Sequence, residues 1–314
     1  METQTILANN TLNKTEKIRQ LLALGLSRRQ VADLTGGNYG FVQNVFARYW
    51  PEQVSRRQER TQQIAQATFG FIPFNRRFGV EIEAYNVERH TLATALRAAG
   101  IETCVEGYNH TPRPHWKIVT DASLRGANAF ELVSPILEGA AGLAQLETVC
   151  RVLKQQRAYI NRSCGLHVHF DAEHIGLPQT KNLLINYARY EHVIDSFMPA
   201  SRRGFTNTYC RSLTNLTSQI DTARSISHLA NSVMQSRYYK VNLQSYLRYK
   251  TIEFRQHSGT VEFEKISTWV LFLHNLVEYS RTSRVETASL ESIQTFQQPD
   301  IYTFYHNRQS ELAA

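Results

Sequence analysis

The sequence predicts an α+β protein: a small three-helix domain, then a larger domain in which helices pack on one face of a mainly antiparallel sheet. Three observations lead there. Residues 18–49 carry apolar side chains at three-to-four spacing, broken by glycines. From Arg77 onward, short stretches alternate polar and apolar residues with the period of a strand. The stretches 139–160, 178–197 and 262–279 read as helices. The 314 residues allow about two domains, and 42% hydrophobic content excludes wholesale disorder. The expected boundaries are a helical domain over 1–50, a Gln/Arg-rich linker over 51–75, the α+β domain over 76–285 and a C-terminal tail over 286–314.

In the first domain, Ile18, Leu21 and Leu22 form an apolar stripe that Gly25 ends. Ser27 caps a second helix, with Gln30 at the capping-box position and Val31 and Leu34 facing inward. Thr35-Gly36-Gly37 is a tight turn. Asn38 caps a third helix carrying Phe41, Val42, Val45, Phe46 and Tyr49, which Pro51 stops. The segment SRRQVADLTGGNYGFVQNVFARYW resembles a helix-turn-helix, whose second helix would turn Asn38, Tyr39, Gln43, Asn44 and Arg48 toward a groove. Residues 1–68 hold nine Lys/Arg against five Asp/Glu, half of the chain's net charge of +8. Basic clustering suits a polyanion, so DNA is the expected partner of residues 14–50. A small helical cap or dimerisation module, with a merely solvated basic face, is the alternative.

In the second domain four strand-like segments carry polar side chains on one face. FGVEIEAY sets Glu81 and Glu83 opposite Val80, Ile82 and Ala84, and FELVSPIL sets Glu131 between Phe130 and Leu132. GLHVHF sets His167 and His169 opposite Leu166, Val168 and Phe170, and TIEFRQHSGT sets Glu253 and Arg255 opposite Ile252 and Phe254. A solvated strand face favours Thr, Lys, Ser and Gln, whereas this one is almost wholly Glu and His. Crowded carboxylates repel unless a cation lies between them. An oxygen-rich set of this kind suits Mg²⁺ or Mn²⁺ better than zinc, which favours thiolate and imidazole.

Several classes are excluded. No run approaches the ~18 apolar residues of a membrane span. Cys104, Cys150, Cys164 and Cys210 lie far apart, without the spacing of a zinc site or a disulfide scaffold. The N-terminal METQTILANNTLNKTEK lacks a basic-then-apolar signal pattern, so a cytoplasmic location is expected. There is no Gly-rich G-x-x-x-x-G-K-[ST] phosphate loop.

FGVEIEAY, WKIVTDASL, FELVSPIL, CGLHVHFD, MPASRRG and KVNLQSY…TIEFRQHSGT, in that order, resemble the amidoligase family over roughly residues 76–280. That family belongs to the carboxylate–amine ligases with the glutamine synthetase and glutamate–cysteine ligase fold. The resemblance implies ATP and Mg²⁺ (or Mn²⁺) as cofactors and small-molecule carboxylate and amine substrates, with a peptide terminus or a modified base as other acceptors. It implies that Glu81, Glu83, Glu131, His167 and Glu253 are metal ligands and that His169 lies beside the nucleotide phosphates. It further implies that Arg255 faces the transferred phosphate, that Arg202 and Arg203 bind phosphate or substrate, and that Asp121 and Ser123 recognise the amine. Related ligases often assemble, so a homo-oligomer is open.

This chemistry suits the residues. A carboxylate is a poor electrophile and needs activation, which an acyl phosphate supplies. Divalent cations and arginines would neutralise the charge that collects as a carboxylate meets a phosphoryl group, and Asp121 could take the proton the amine must lose. Lys240 and Asn242 either touch the nucleotide or only pair strands. His257 could reach the site or be an idle loop-edge imidazole. Cys164 reads as a buried filler, and Trp269, Phe272, Leu273 and Leu276 as a core stripe. Two other functions use the same residues: a DNA-binding regulator whose second domain senses a ligand, and a metal-dependent hydrolase. The complete Glu/His/Arg set disfavours the first, and the paired arginines disfavour the second.

Overall fold

The computed structural model describes residues 2–51, 74–205 and 207–313, in two compact units, Met1–Ile64 and Ala65–Ala314. Most of the linker expected over 51–75, residues 52–73, lies outside the described residues.

Among the described residues the first unit has four helices: α1 (Glu2–Ala8), α2 (Lys14–Ala23), α3 (Arg28–Leu34) and α4 (Tyr39–Tyr49). The polar residues before α2, α3 and α4 all cap: Asn13 accepts from the Glu16 amide, Ser27 and Gln30 form a reciprocal capping box, and Asn38 accepts from the Gly40 amide. Gly25 turns the chain after α2 at φ +85°, where a Cβ would be strained. Ile18, Leu21, Leu22, Val31, Ala32, Val42 and Val45 form the core, with Phe46 and Trp50 stacked beside it. Two details differ from the sequence reading. Leu34 is 44% exposed, because it is the last residue of a two-turn helix whose inner positions go to Val31 and Ala32. Helix α1, with no buried side chain, carried no apolar stripe by which it could be read.

The second unit is built on an eight-stranded sheet. Its strands are β1 (Arg77–Ala84), β2 (Thr103–Val105), β3 (Trp116–Val119), β4 (Phe130–Val133), β5 (Leu137–Glu138), β6 (Leu166–Asp171), β7 (Val241–Asn242) and β8 (Thr251–Phe254). The order is β2-β3-β4-β1-β6-β8-β7, with β5 beside β1; among the described strands only β2 and β3 pair in parallel. The apolar face presents Phe78, Val80, Ile82, Leu132, Leu166, Val168, Phe170, Ile252 and Phe254, all buried.

Helices cover that face. After α5 (Arg89–Ala98) come α6 (Gly139–Gln155), α7 (Leu177–Ser196) and α8 (Phe263–Ser280), close to the spans read from the sequence. Tyr187 of α7 packs on Phe254, and His274 of α8 on Phe170, with ring centroids 5.8 and 6.3 Å apart. Trp269, Phe272, Leu273 and Leu276 are fully buried, as a core stripe requires. The stretch read as a tail carries α9 (Pro299–Ala313), whose Tyr305 packs against Phe197 and Phe272. Among the described residues no helix is long and apolar enough to cross a membrane.

Candidate active site

Strand alternation sends Glu81, Glu83, Glu131, His167, His169, Asn242 and Glu253 to the face opposite the helices, and register decides which of them meet. Glu81 pairs with His167, Glu83 with Glu131, and Glu253 with both His169 and Asn242. The side chains then converge. His167 Nδ1 lies 2.8 Å from Glu81 Oε2, and its Nε2 lies 3.7 Å from Glu83 Oε1. His169 Nε2 is 3.2 Å from Glu81 Oε1, without the alignment of a hydrogen bond. Glu253 is held by Asn242 and by Arg255.

The cluster is charged and nearly dry. Burial works against ionised Glu81, but His169 and His167 pull its carboxyl well below the usual range. Burial likewise opposes the charge on Glu253, yet Arg255 and His169 keep its carboxyl low. Burial disfavours a charged His169, and Glu253 and Glu81 overcome it to raise the imidazole. Glu131 is the exception: burial, then the charges of Glu81 and Glu83, push its carboxyl well above the usual value. It makes no ion pair among the described residues.

A divalent cation fits this arrangement. Glu81, His167 and Glu253 each offer a ligand atom, all within 4.8 Å of one another, and Glu83, Glu131 and His167 do the same. Carboxylate oxygens outnumber imidazoles and no thiol joins either group, a donor set suited to Mg²⁺ or Mn²⁺.

Two cavities flank the cluster. One, of about 810 Å³, is lined by Glu81, Glu131, His169, Asn242, Glu253 and Arg255, with a basic wall that includes Arg77, Arg113, Lys117 and Arg248. The other, of about 660 Å³, is lined by Glu83, His167, Asp121, Ser123, Arg202 and Arg255, with Tyr108, Tyr209 and Tyr238. Arg237 and Arg255 line both. The loop between β2 and β3 forms part of each wall and is tightly tied. Glu106 accepts from Asn109 and Arg113 and meets His115, the contact that most lowers its carboxyl, to about 2. Buried Lys117 donates from Nζ to Asn109 O and Oδ1 and to Thr111 O, each at 2.9 Å.

Most of the residues singled out from sequence thus face one site. Lys240, Arg203 and His257 do not. Lys240 is fully buried and lines neither cavity; its Nζ bridges Glu191 Oε1 and Asp195 Oδ1 at 2.8 Å each, which removes it as a nucleotide contact. Arg203 also lines neither cavity and donates to Met198 O, while the adjacent Arg202 reaches the second cavity. Adjacent in sequence, Arg202 ends the Ala200–Arg202 turn and Arg203 follows it, and the two side chains point apart. His257 donates from Nδ1 to Ser258 O and packs on Trp269, outside both cavities. Cys164 is buried, as a filler should be.

The sequence reading missed Lys117, Arg237, Arg248 and the three tyrosines. Lys117 had a signal, since in WKIV it takes the same strand face as Glu131, opposite Ile118. Arg237 had none, because it lies between the helical segment Leu229–Met234 and β7, and Arg248 sits on a six-residue helix, Gln244–Tyr249, too short to show a periodic face.

The fold and site define an α+β domain whose polar sheet face is a carboxylate–imidazole–guanidinium centre between two cavities. A family model described as "Putative amidoligase enzyme" matches residues 74–277, from just before β1 to near the end of α8, and the chain belongs to that family. No curated protein matches the sequence. Among solved structures, a "novel glutamine synthase homolog" is similar with 12% identity and a TM-score of 0.38, over 76% of this chain and 67% of that one.

Proposed function

We propose that the second unit joins a carboxylate to an amine in an ATP-dependent reaction that uses Mg²⁺ or Mn²⁺ and passes through an acyl phosphate. The observation that carries this reading is the meeting, on one sheet face, of two metal-donor groups sharing His167 with Arg255 and Arg202, between two separate cavities. A hydrolase needs one substrate space beside its metal; a ligase must hold a nucleotide and two further reactants.

Glu81, Glu83, Glu131, His167 and Glu253 would hold the divalent cations, whose chemistry is to neutralise the charge that builds as a carboxylate oxygen approaches the γ-phosphoryl group. The larger, basic-walled cavity suits the triphosphate, with Asn242 and His169 at its floor. Arg255, fixed by Glu253 and lining both cavities, is positioned to follow the phosphoryl group from one side to the other. Asp121 stands in the second cavity, its Oδ1 accepting from the Ser123 amide at 2.7 Å, and would take the proton that the amine loses. The first unit would bring this ligase to nucleic acid through the exposed Asn38, Tyr39, Asn44 and Arg48 of α4.

The test is calorimetric titration of a non-hydrolysable ATP analogue, with and without Mg²⁺, into the full chain and into Glu253→Ala. Magnesium-dependent binding that the variant loses is the expected result. A wild-type protein that binds no nucleotide with any divalent metal would sink the ligase reading.

A further inference from the structure

Three loops of the second unit are stitched into one surface. The Asn86 backbone amide donates to Ala127 O at 2.8 Å, and its Nδ2 donates to Arg157 O at 3.1 Å, so the turn after β1 joins the other two. Arg125 is held at both backbone groups: its N–H donates to Ser163 Oγ at 2.9 Å, and its carbonyl accepts from Asn161 Nδ2 at 2.6 Å. Tyr85 and Tyr159 pair backbone to backbone. The surface leads into the second cavity, which Ser123, Arg162 and Ser163 line.

This surface is basic and carries no acid of its own, since residues 122–130 and 148–170 contain no Asp or Glu. Arg125, Arg157 and Arg162 are exposed, and none of their guanidinium groups makes an ion pair or a hydrogen bond among the described residues. The nearby Glu88 is occupied in capping α5, where it accepts from the Thr91 amide. Arg157 follows the C-cap of α6 at φ +59°, a left-handed position where glycine would sit without strain. Between Arg157 and Arg162, Tyr159 and Ile160 are 49% and 44% exposed. Arginine and tyrosine set about an exposed apolar side chain make up a recognition surface rather than a merely solvated one. The cavity behind continues the sign, with Arg162, Arg202, Arg237 and Arg255 set against Glu83 and Asp121.

We propose that the carboxylate substrate is a polypeptide: an acidic segment lies across Arg125, Arg157 and Arg162 and delivers a carboxyl group into the second cavity. The excess of arginine there disfavours a polyamine. A volume of about 660 Å³ is in the range that takes a drug-sized ligand, more room than one free amino acid needs. The inference rests on the ligase reading for the demand for a carboxylate, which a polypeptide carries at Asp, Glu and its C-terminus and an unmodified nucleic-acid strand does not. The backbone ties at Asn86 and Arg125 fix the surface in advance, so binding has little of the protein to order.

The experiment follows a fluorescein-labelled decaglutamate peptide by anisotropy as the full chain is added. Wild type is compared with the triple variant Arg125→Ala, Arg157→Ala, Arg162→Ala and with a charge-matched control, Arg224→Ala, Arg281→Ala, Arg284→Ala, whose arginines are exposed and line neither cavity. We expect the first triple variant to weaken peptide binding about tenfold and the control to change it less than about twofold. The melting temperature of the first variant should hold, because its three guanidinium groups have no partners to lose. Wild type that does not bind the peptide, a first variant that binds as well as wild type, or a control that loses as much would overturn the proposal. A labelled dT decamer is titrated alongside. If the first variant loses more affinity for it than for the peptide, the surface serves a nucleic-acid strand and the proposal fails. Titration of the Mg²⁺–ATP analogue separates this inference from its premise. Nucleotide binding by a chain indifferent to the peptide fails the inference alone, and peptide binding through the three arginines without nucleotide binding fails the ligase reading alone.

Discussion

Glu81 and His167 are register partners on β1 and β6, and their side chains meet on the polar face with Nδ1 2.8 Å from Oε2. The contact sets the plane of the imidazole. With one nitrogen on Glu81, the other faces Glu83, 3.7 Å from its Oε1. A single histidine therefore belongs to both donor groups, which makes the two halves of the site interdependent.

The carboxylates of this face do not share one fate in the metal-free protein. Glu253 is compensated by Arg255 and Asn242, whereas Glu131 faces Glu83 and Glu81. Glu131→Gln removes a repulsion and should raise the metal-free stability by about 1 kcal/mol, roughly 2–4 °C in melting temperature for a unit of this size. Glu253→Gln should lower it, since Arg255 then loses its counter-charge. With Mg²⁺ present, wild type should gain stability and Glu131→Gln should gain less. Thermal unfolding of both variants, with Mg²⁺ and with chelator, checks all of this; a stabilised Glu253→Gln would contradict it.

How much of this was legible follows from where each residue sits. Glu81 and Glu83, His167 and His169, and Glu253 and Arg255 are spaced by two within strands, so alternation alone puts each pair on one face. Which pairs meet depends on register between strands distant in sequence, and a single chain carries no local mark of it. Lys240 misled because β7 is only two residues long, Val241–Asn242, so the alternation that turns Asn242 to the cavity does not extend back to it. Its real partners were visible in principle: Glu191 and Asp195 are four apart on α7, on one helical face that is otherwise apolar.

The Lys240 bridge predicts a large stability effect. Glu191 also accepts from the Leu213 amide, and Asp195 from the Gly204 amide and from Gln256. Lys240→Met leaves the buried Glu191 and the half-buried Asp195 without their cation, a change that costs about 3 kcal/mol and about 10 °C. Adding Glu191→Gln and Asp195→Asn removes the stranded charge and should recover most of the loss. Urea unfolding of the single and triple variants measures it. A single variant as stable as wild type would show that the bridge contributes nothing.

His257 gives the fold an acid limit. Burial, with repulsion from Lys265, Arg308 and Arg202, lowers its imidazole from 6.5 to about 3. The folded state then binds fewer protons than the unfolded state between those values, so its contribution is complete above pH 6.5 and is lost as pH falls toward 3. At about 1.4 kcal/mol per pH unit, roughly 2 kcal/mol has gone by pH 5. His257→Asn, which can still donate to Ser258 O, should be less stable than wild type at pH 7.5 and should close most of that gap by pH 5. Melting curves across that range decide it: two parallel profiles would place the acid sensitivity elsewhere.

The first unit makes a separate prediction. On α4, Val42 and Val45 are buried, while Asn44 and Arg48 share the opposite, exposed face and Asn38 and Tyr39 sit exposed at its N-terminal end. Arg28 of α3 leans across the gap onto Phe46, 4.7 Å from the ring centre, and donates to Gln43. A helix presented this way offers amide and hydroxyl groups for base edges and an arginine for a phosphate. The full chain should bind duplex DNA with an affinity that falls steeply with salt. Arg48→Ala should weaken binding to all sequences and reduce the slope of log K against log salt by about 1, as loss of one phosphate contact does. Asn44→Ala should leave the slope alone and relax whatever sequence preference exists. Fluorescence anisotropy at several salt concentrations distinguishes these outcomes, and a wild-type chain with no salt-dependent binding would make the unit a helical module without a nucleic-acid role.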